Sequence, residues 1–310
     1  MRGNLMEFNI KRLTDEEAAE NVFFKAVLDE EAPMYDAAIV SKDGILEWKN
    51  ENCNSINNSH SATKFFIAAA VGRLRDEGKL DLDAPVTSFF PPELLPSDME
   101  PRWHHVTVRN TLRHMTGMGD DSIRYGVDED DSNTMIGDDF LSEVFRTPLP
   151  HAPETYRRYS DAAYYLLSRI IAAVSGRTAD KYLNESFFKP LGFGQWTMVC
   201  CPQGHPIGGG GLFARARDIA KMGYLYAIGG VWDGKRLISE QWIGESKGND
   251  FALGRFRDFD VWVKTGARGQ MIAFSQTKKT AVAWHGCAFP DDNGKRNDRL
   301  LEAFVAYCKF

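Results

Sequence analysis

The chain has 310 residues, 37 basic against 43 acidic for a net charge of −6, with 43% hydrophobic and 26% charged residues. A chain this long can bury most of the surface its unfolded form exposes, so it needs neither a disulfide nor a metal to fold. The acidic balance argues against a general nucleic-acid binder and the composition against disorder. The longest apolar run, Phe65 to Val71, is far short of the ~20 residues that span a bilayer.

The polar N-terminus has no basic start followed by an apolar stretch, which predicts no signal peptide. Five cysteines, Cys53, Cys200, Cys201, Cys287 and Cys308, are an odd count that suits reduced thiols in a cytoplasm. Residues 11–30 read as one amphipathic helix, with Thr14 as N-cap and Glu17 completing a capping box. Tyr35 to Trp48 reads as a hairpin around Lys42-Asp43-Gly44. Residues 61–78 form a helix closed by Gly78. Pro85, Pro91, Pro92, Pro96 and Pro101 then mark a loop-rich crossing.

From Thr107 to about Leu191 the pattern is mostly helical, with residues 161–175 as a strong apolar helix. The acidic stretch 120–139 lacks the spacing of a calcium loop and reads as a solvated loop, one that would favour cationic substrates if it borders a cleft. Gly208 to Gly211 is a glycine loop before a helix at 215–226. Strands follow at 261–265, 270–275 and 280–285, and a helix at about 297–309 closes the chain. Helices in the middle and strands at both ends predict an α+β fold. Its sheet domain would comprise residues 1–85 and 200–310, largely antiparallel, and its inserted helical domain residues 86–199. The crevice between them is the default place for a site.

Ser61-Ala-Thr-Lys64 and Ser275-Gln-Thr-Lys278 both match S-x-x-K. Ser61 opens a helix, where backbone N–H groups favour developing negative charge, and Lys64 lies one turn on along the same face. Apolar surroundings would depress the lysine pKa and make it a usable base. The bland alternative is an N-cap serine beside a surface lysine. Ser275 and Lys278 read as a solvated turn between strands. Tyr159 alone would be a half-buried core tyrosine, Lys264 a strand-end lysine, and Asp161 an N-cap.

Other patterns carry less. Gly244-Glu-Ser246-Lys-Gly248 matches a nucleophile elbow, with His285 and Asp260 as conceivable partners, but helix precedes it and loop follows, where a strand and then a helix are needed. Gly229 to Lys235 is one residue short of a phosphate loop, because Arg236 replaces Ser or Thr, and Trp232 to Lys235 reads as a hairpin turn. Gly208 to Gly211 has no clear strand feeding a phosphate site. Cys200, Cys201 and His205 lack metal-ligand spacing, as do His104, His105 and His114, so no metal and no cofactor is expected. His114 reads as packing beside Gly117.

Residues 59–90 (SHSATKFFIAAAVGRLRDEGKLDLDAPVTSFF) resemble the serine β-lactamase and penicillin-binding-protein superfamily. They are most similar to its class C β-lactamase-like branch of esterases, amide hydrolases and D-amino-acid peptidases. VTVRNTLRHMTGM at 106–118, Tyr159-Ser160-Asp161, GGGLFARARDIAKMG at 209–223, GVWDGKRLI at 230–238 and Lys264-Thr265-Gly266 match in the same order. The resemblance spans roughly residues 35 to 285 and implies a β-lactamase/transpeptidase-like fold.

It also implies roles. Ser61 would be the acylated nucleophile, and Lys64 the base or the group that keeps Tyr159 ionised. Tyr159 would shuttle the proton, and Lys264 would add positive field. The backbone N–H groups of Ser61 and Ala267 would form the oxyanion hole, with Thr265 and Gly266 lining the substrate site. Two residues depart from the pattern. Asp161 stands where class C β-lactamases carry asparagine; ionised, it would favour a charged Lys64 and shift the base role to Tyr159. Ala267 replaces a small hydroxyl residue, so a contact to a substrate carboxylate is lost.

The expected function is hydrolysis of a small ester or amide through a Ser61 acyl-enzyme, with no nucleic-acid or membrane partner. One alternative is a true β-lactamase or D-amino-acid peptidase acting on a lactam or peptide. The other is an inactive binding module of the same fold.

Overall fold

A computed structural model describes residues 8–53, 56–119, 138–249, 251–288 and 293–310. The acidic stretch from 120 lies outside these residues as far as 137.

The chain opens with β1 (Ile10–Arg12), α1 (Asp15–Ala19) and α2 (Val22–Leu28). The single helix expected over 11–30 is therefore a strand and two short helices. Thr14 does form the capping box with Glu17, but Asn21 caps a second helix, its side chain accepting from the amides of Phe23 and Phe24. The hairpin follows as β2 (Met34–Ser41) and β3 (Gly44–Lys49), then β4 (Asn57–Asn58) and α3 (Thr63–Asp76). Ser61 lies just before α3, in a 3-10 turn over His60–Ala62.

The helical region supplies α4 (Val108–Leu112), α5 (Phe140–Arg146), α6 (Asp161–Ser175) and α7 (Ala179–Leu183). Next come β5 (Thr197–Met198), β6 (Leu212–Ala214), α8 (Ala216–Ala227), β7 (Val231–Trp232), β8 (Lys235–Arg236) and α9 (Glu240–Gly248). The chain ends with β9 (Gly254–Arg255), β10 (Trp262–Gly266), β11 (Gln270–Ser275), β12 (Thr280–Gly286) and α10 (Asn293–Cys308).

Among the described residues the main sheet has seven strands in the order β1-β3-β2-β12-β11-β10-β9. Its pairings are antiparallel except β1 with β3, which is parallel. Period-2 alternation sorts its side chains onto two faces. Ala38, Val40, Ile272, Phe274, Ala281 and Ala283 join the larger core with α3, α6 and α8. Ala37, Ile39, Met271, Ala273, Val282 and Trp284 join a second core with α2 and α10. Helices on both faces explain the apolar runs Ala37–Val40, Met271–Phe274 and Ala281–Trp284 in these central strands.

α3 is the buried centre of the larger core: Phe65 through Gly72 are all inaccessible or nearly so. A Cβ added at Gly72 would collide with the indole of Trp242 on α9, so the glycine sets that helix–helix approach. A second sheet of β4, β6 and β5 stands at the head of α3. It fixes the strand that leads into Ser61, because Asn57 and Asn58 pair with Ala214 and Phe213.

Candidate active site

Four parts of the chain converge at the head of α3: the Ser61 turn, the loop before α6, the glycine loop 208–211, and the end of β10. Ser61 does not act as an N-cap. The residue that enters the helix is Ala62, with no side-chain cap, and the Ser61 hydroxyl instead accepts from Lys64 Nζ at 3.1 Å. The turn is strained, since His60 sits at φ 45°, in the left-handed region. It is held by a 2.8 Å bond from the His60 amide to Asn58 and a 2.6 Å bond from the Thr63 hydroxyl to the His60 carbonyl.

Lys64 is fully buried. Its ammonium donates to Ser61, to the Gly209 carbonyl at 2.5 Å and to the Asp161 carboxylate, with the Tyr159 oxygen as a further acceptor. Burial alone would push the lysine pKa down. The Asp161 charge and Tyr159 outweigh burial, and the pKa is raised. This is the opposite of the depressed lysine that apolar surroundings predict, and the reason is the counter-charge supplied by Asp161. Asp161 is the first residue of α6 and Ser160 is the cap, its hydroxyl accepting from the Ala163 amide. The N-cap reading of Asp161 is thus replaced by an ion pair across the cleft.

Tyr159 is 40% exposed and faces the cleft. Lys64 lies 4.6 Å and Lys264 5.1 Å from its ring centre, and Lys264 Nζ donates to its oxygen at 3.5 Å. Packing around the phenol raises its pKa, but the charges of Lys64 and Lys264 and hydrogen bonds from Lys64 and Ser61 overcome that and leave it lowered. A charged Lys64 cannot take a proton, whereas a Tyr159 phenolate bonded to the Ser61 hydroxyl can. The arrangement is suited to proton removal from Ser61 by Tyr159.

The His114 ring lies between Tyr159 and Tyr164, at 4.5 and 5.0 Å. Nδ1 accepts from the Ser160 amide at 3.2 Å. Burial and the neighbouring cations push its pKa well below the ordinary histidine range, so it packs against Tyr159 as a neutral ring. Gly209 of the glycine loop also belongs to the site. Its carbonyl is an acceptor for Lys64, and a Cβ there would lie 2.8 Å from Asp161 Oδ1. Only their positions in the matched stretches marked these two residues.

At the end of β10, Lys264 and Thr265 line a small cavity of about 130 Å³ together with Tyr159, His114 and Arg157. Gly266 packs directly on the Ser59 carbonyl, where a side chain would collide. Ala267 begins the turn after it. The other candidate serines lie apart from this cluster. Ser246 is buried within α9 and donates to the Trp242 carbonyl at 2.8 Å, while His285 pairs with Asp36 rather than with Asp260. Ser275 is buried rather than solvated, and its hydroxyl accepts from the Lys278 amide within the β11–β12 turn.

The Beta-lactamase family model matches residues 52–302. Two relatives match shorter stretches. One, named "Putative D-alanyl-D-alanine carboxypeptidase" from Escherichia coli (strain K12), is 30% identical over 172 residues, covering 52% of this chain and 37% of that protein. The other, named "Putative penicillin-binding protein PbpX" from Bacillus subtilis (strain 168), is 28% identical over 132 residues, 43% of this chain and 30% of that protein. The matched stretches thus span about a third of the length of these relatives. Among solved structures, a penicillin-binding protein homologue from Caulobacter crescentus superposes with a TM-score of 0.72 at 17% identity, over 97% of this chain and 100% of that one. A family VIII carboxylesterase does so with a TM-score of 0.69 at 16% identity, over 97% and 100%. At these identities the structural likeness concerns the fold.

Proposed function

Because the chain belongs to the β-lactamase family, we propose that it is a serine hydrolase that acts through an acyl-enzyme on Ser61, on a small ester or amide. The observation that carries this reading is the bond from Lys64 to Ser61 beside a Tyr159 whose pKa is lowered by two lysines. The site would lie between the sheet part of the chain, 1–85 and 200–310, and the helical insert, 86–199.

In the first step Tyr159 takes the Ser61 proton as Oγ attacks the substrate carbonyl. The oxyanion is received by the amides of Ser61 and Ala267; loss of one such donor typically costs about 10²–10³ in rate. Tyr159 then returns the proton to the leaving oxygen or nitrogen. Water, activated by the same phenolate, hydrolyses the acyl-enzyme. Lys64 stays an ammonium throughout and holds Tyr159 ionised; Lys264 adds to that field from the other side.

A second reading, a D-amino-acid peptidase or β-lactamase, is favoured by the cavity beside Tyr159. Lys264, Thr265 and Arg157 line it, and its lining among the described residues includes no acidic one, so it suits a small carboxylate-bearing group. Among the described residues no helix is long and apolar enough to cross a membrane. The free thiols of all five cysteines support a reducing compartment, and we place the protein in the cytoplasm.

The test is intact-protein mass after exposure to a fluorophosphonate probe, comparing wild type with Ser61→Ala. One adduct on the wild type alone is expected. An adduct that survives Ser61→Ala overturns the assignment of the nucleophile. A folded wild type that takes no adduct favours a binding module instead. Relative kcat/KM for a chromogenic cephalosporin and a nitrophenyl ester separates the two hydrolytic readings.

A further inference from the structure

Behind the nucleophile turn lies a second chain of serine, histidine and aspartate that takes no part in the chemistry described above. His285 on β12 and Asp36 on β2 are cross-strand partners in the main sheet. His285 Nδ1 lies 2.8 Å from Asp36 Oδ1, and its Nε2 lies 3.1 Å from the Ser59 hydroxyl. All three residues are buried: Asp36 is 7% exposed, Ser59 and His285 1% each. The carboxylate can only accept, so Nδ1 carries the hydrogen of that bond, and Nε2 and the Ser59 hydroxyl share the other. Asp36 is itself anchored, because its Oδ2 accepts from the Ala216 amide at 2.7 Å, at the head of α8.

Burial rules out Ser59 as a nucleophile, but its position has a consequence. Ser59 is two residues before Ser61. Its amide donates to the Leu212 carbonyl at 2.8 Å, and its carbonyl accepts from the Ala62 amide at 3.0 Å. That same carbonyl is the surface on which Gly266 of β10 rests. The Ser61 amide and the Ala267 amide, the two proposed oxyanion donors, are therefore each next to one side of the Ser59–Gly266 contact. Besides this bond, the turn meets the main sheet through the Gly266 contact and through Asn57, whose side-chain amide donates to Asp36 Oδ1 at 3.4 Å.

We propose that Ser59, His285 and Asp36 form a buried tether that positions the nucleophile turn on the main sheet and so sets the gap between the Ser61 and Ala267 amides. These are positioning residues. Misplacing reacting groups by about 1 Å can cost on the order of 100-fold in rate. The proposal rests on the reading of Ser61 as the acylated residue.

The test is single-turnover acylation by a nitrophenyl ester, with the infrared carbonyl stretch of the resulting acyl-enzyme as a direct readout of oxyanion hydrogen bonding. Ser59→Ala is expected to acylate about 10–100-fold more slowly, with KM nearly unchanged and a thermal midpoint close to wild type. Its acyl carbonyl should absorb at higher wavenumber. The double variant Ser59→Ala/His285→Gln should be no slower than the slower single variant, because both break one tether. Ser59→Cys, which is slightly larger and weakens the bond, should show the same direction and serves if Ser59→Ala does not fold. A folded variant with wild-type acylation or a wild-type carbonyl stretch overturns the tether while leaving the hydrolase intact. Additive losses in the double variant overturn it too. A wild type that forms no acyl-enzyme overturns the hydrolase reading, and the tether with it.

Discussion

Lys64 and Asp161 pair across the cleft with the lysine fully buried and 30% of the aspartate side chain exposed. The pair holds the pKa of the lysine beside Ser61 up, which is why the proposed mechanism gives the base role to Tyr159. Asp161→Asn should therefore lower the Lys64 pKa, because burial then acts on the ammonium without its counter-charge. A carbon-13 NMR titration of the lysine Cε signals reads this directly, and an unmoved Lys64 would refute it. Asp161→Ala should also destabilise the protein. The loss should fall toward the low end of the about 3–5 kcal/mol typical of a broken buried pair, since Asp161 is partly solvated. Gly209→Ala should disturb the same pair from the other side, as its Cβ would lie 2.8 Å from Asp161 Oδ1.

In the proposed mechanism Tyr159 and Lys264 set the pH dependence. The Tyr159 pKa is lowered from the ordinary tyrosine value of about 10. A base with a lowered pKa is ready above that pKa and lost as pH falls through it. So kcat/KM for a neutral ester should rise with pH and level off below about pH 10. Lys264→Met removes one of the two cations, so the inflection should move up. Activity at pH 7 should then fall about tenfold for each unit of that move. A pH–rate profile that keeps its inflection in Lys264→Met would show that Tyr159 is not the group titrating.

Gly72 and Trp242 give a prediction about the fold. Alanine is the better helix former by about 1 kcal/mol, which by itself would stabilise α3. A Cβ at Gly72, however, meets the indole of Trp242 at 2.2–2.5 Å. Both residues are buried, so the clash should prevail and Gly72→Ala should cost about 1–3 kcal/mol. Urea unfolding of the variant checks this, and a midpoint at or above wild type would contradict it.

Much of the fold was written in local patterns. Residues 161–175 form a helix with those bounds, because an apolar stripe and a following Gly176 are local signals. The hairpin at 35–48 and the strands from 261 onward follow from period-2 alternation and turn residues. Ser61 and Lys64 meet because a spacing of three brings side chains together on one helical turn.

What lay beyond the sequence read alone was set by contacts between distant segments. The extension of residues 10–12 as a strand depends on its parallel pairing with β3, which no local window contains. Apolar neighbours of Lys64 suggested a depressed pKa, and a carboxylate 97 residues away reverses it. Ser59 and Asp36 lie 226 and 249 residues from His285; the register of β2 against β12 pairs Asp36 with His285, and the pairing of β4 with β6 brings Ser59 to them. Amphipathic period, caps and one-turn spacings are short-range physics and are legible in order along the chain. Charge state and the alignment of catalytic groups depend on which distant groups share a buried volume, and the packing of the whole sheet and its helices decided that.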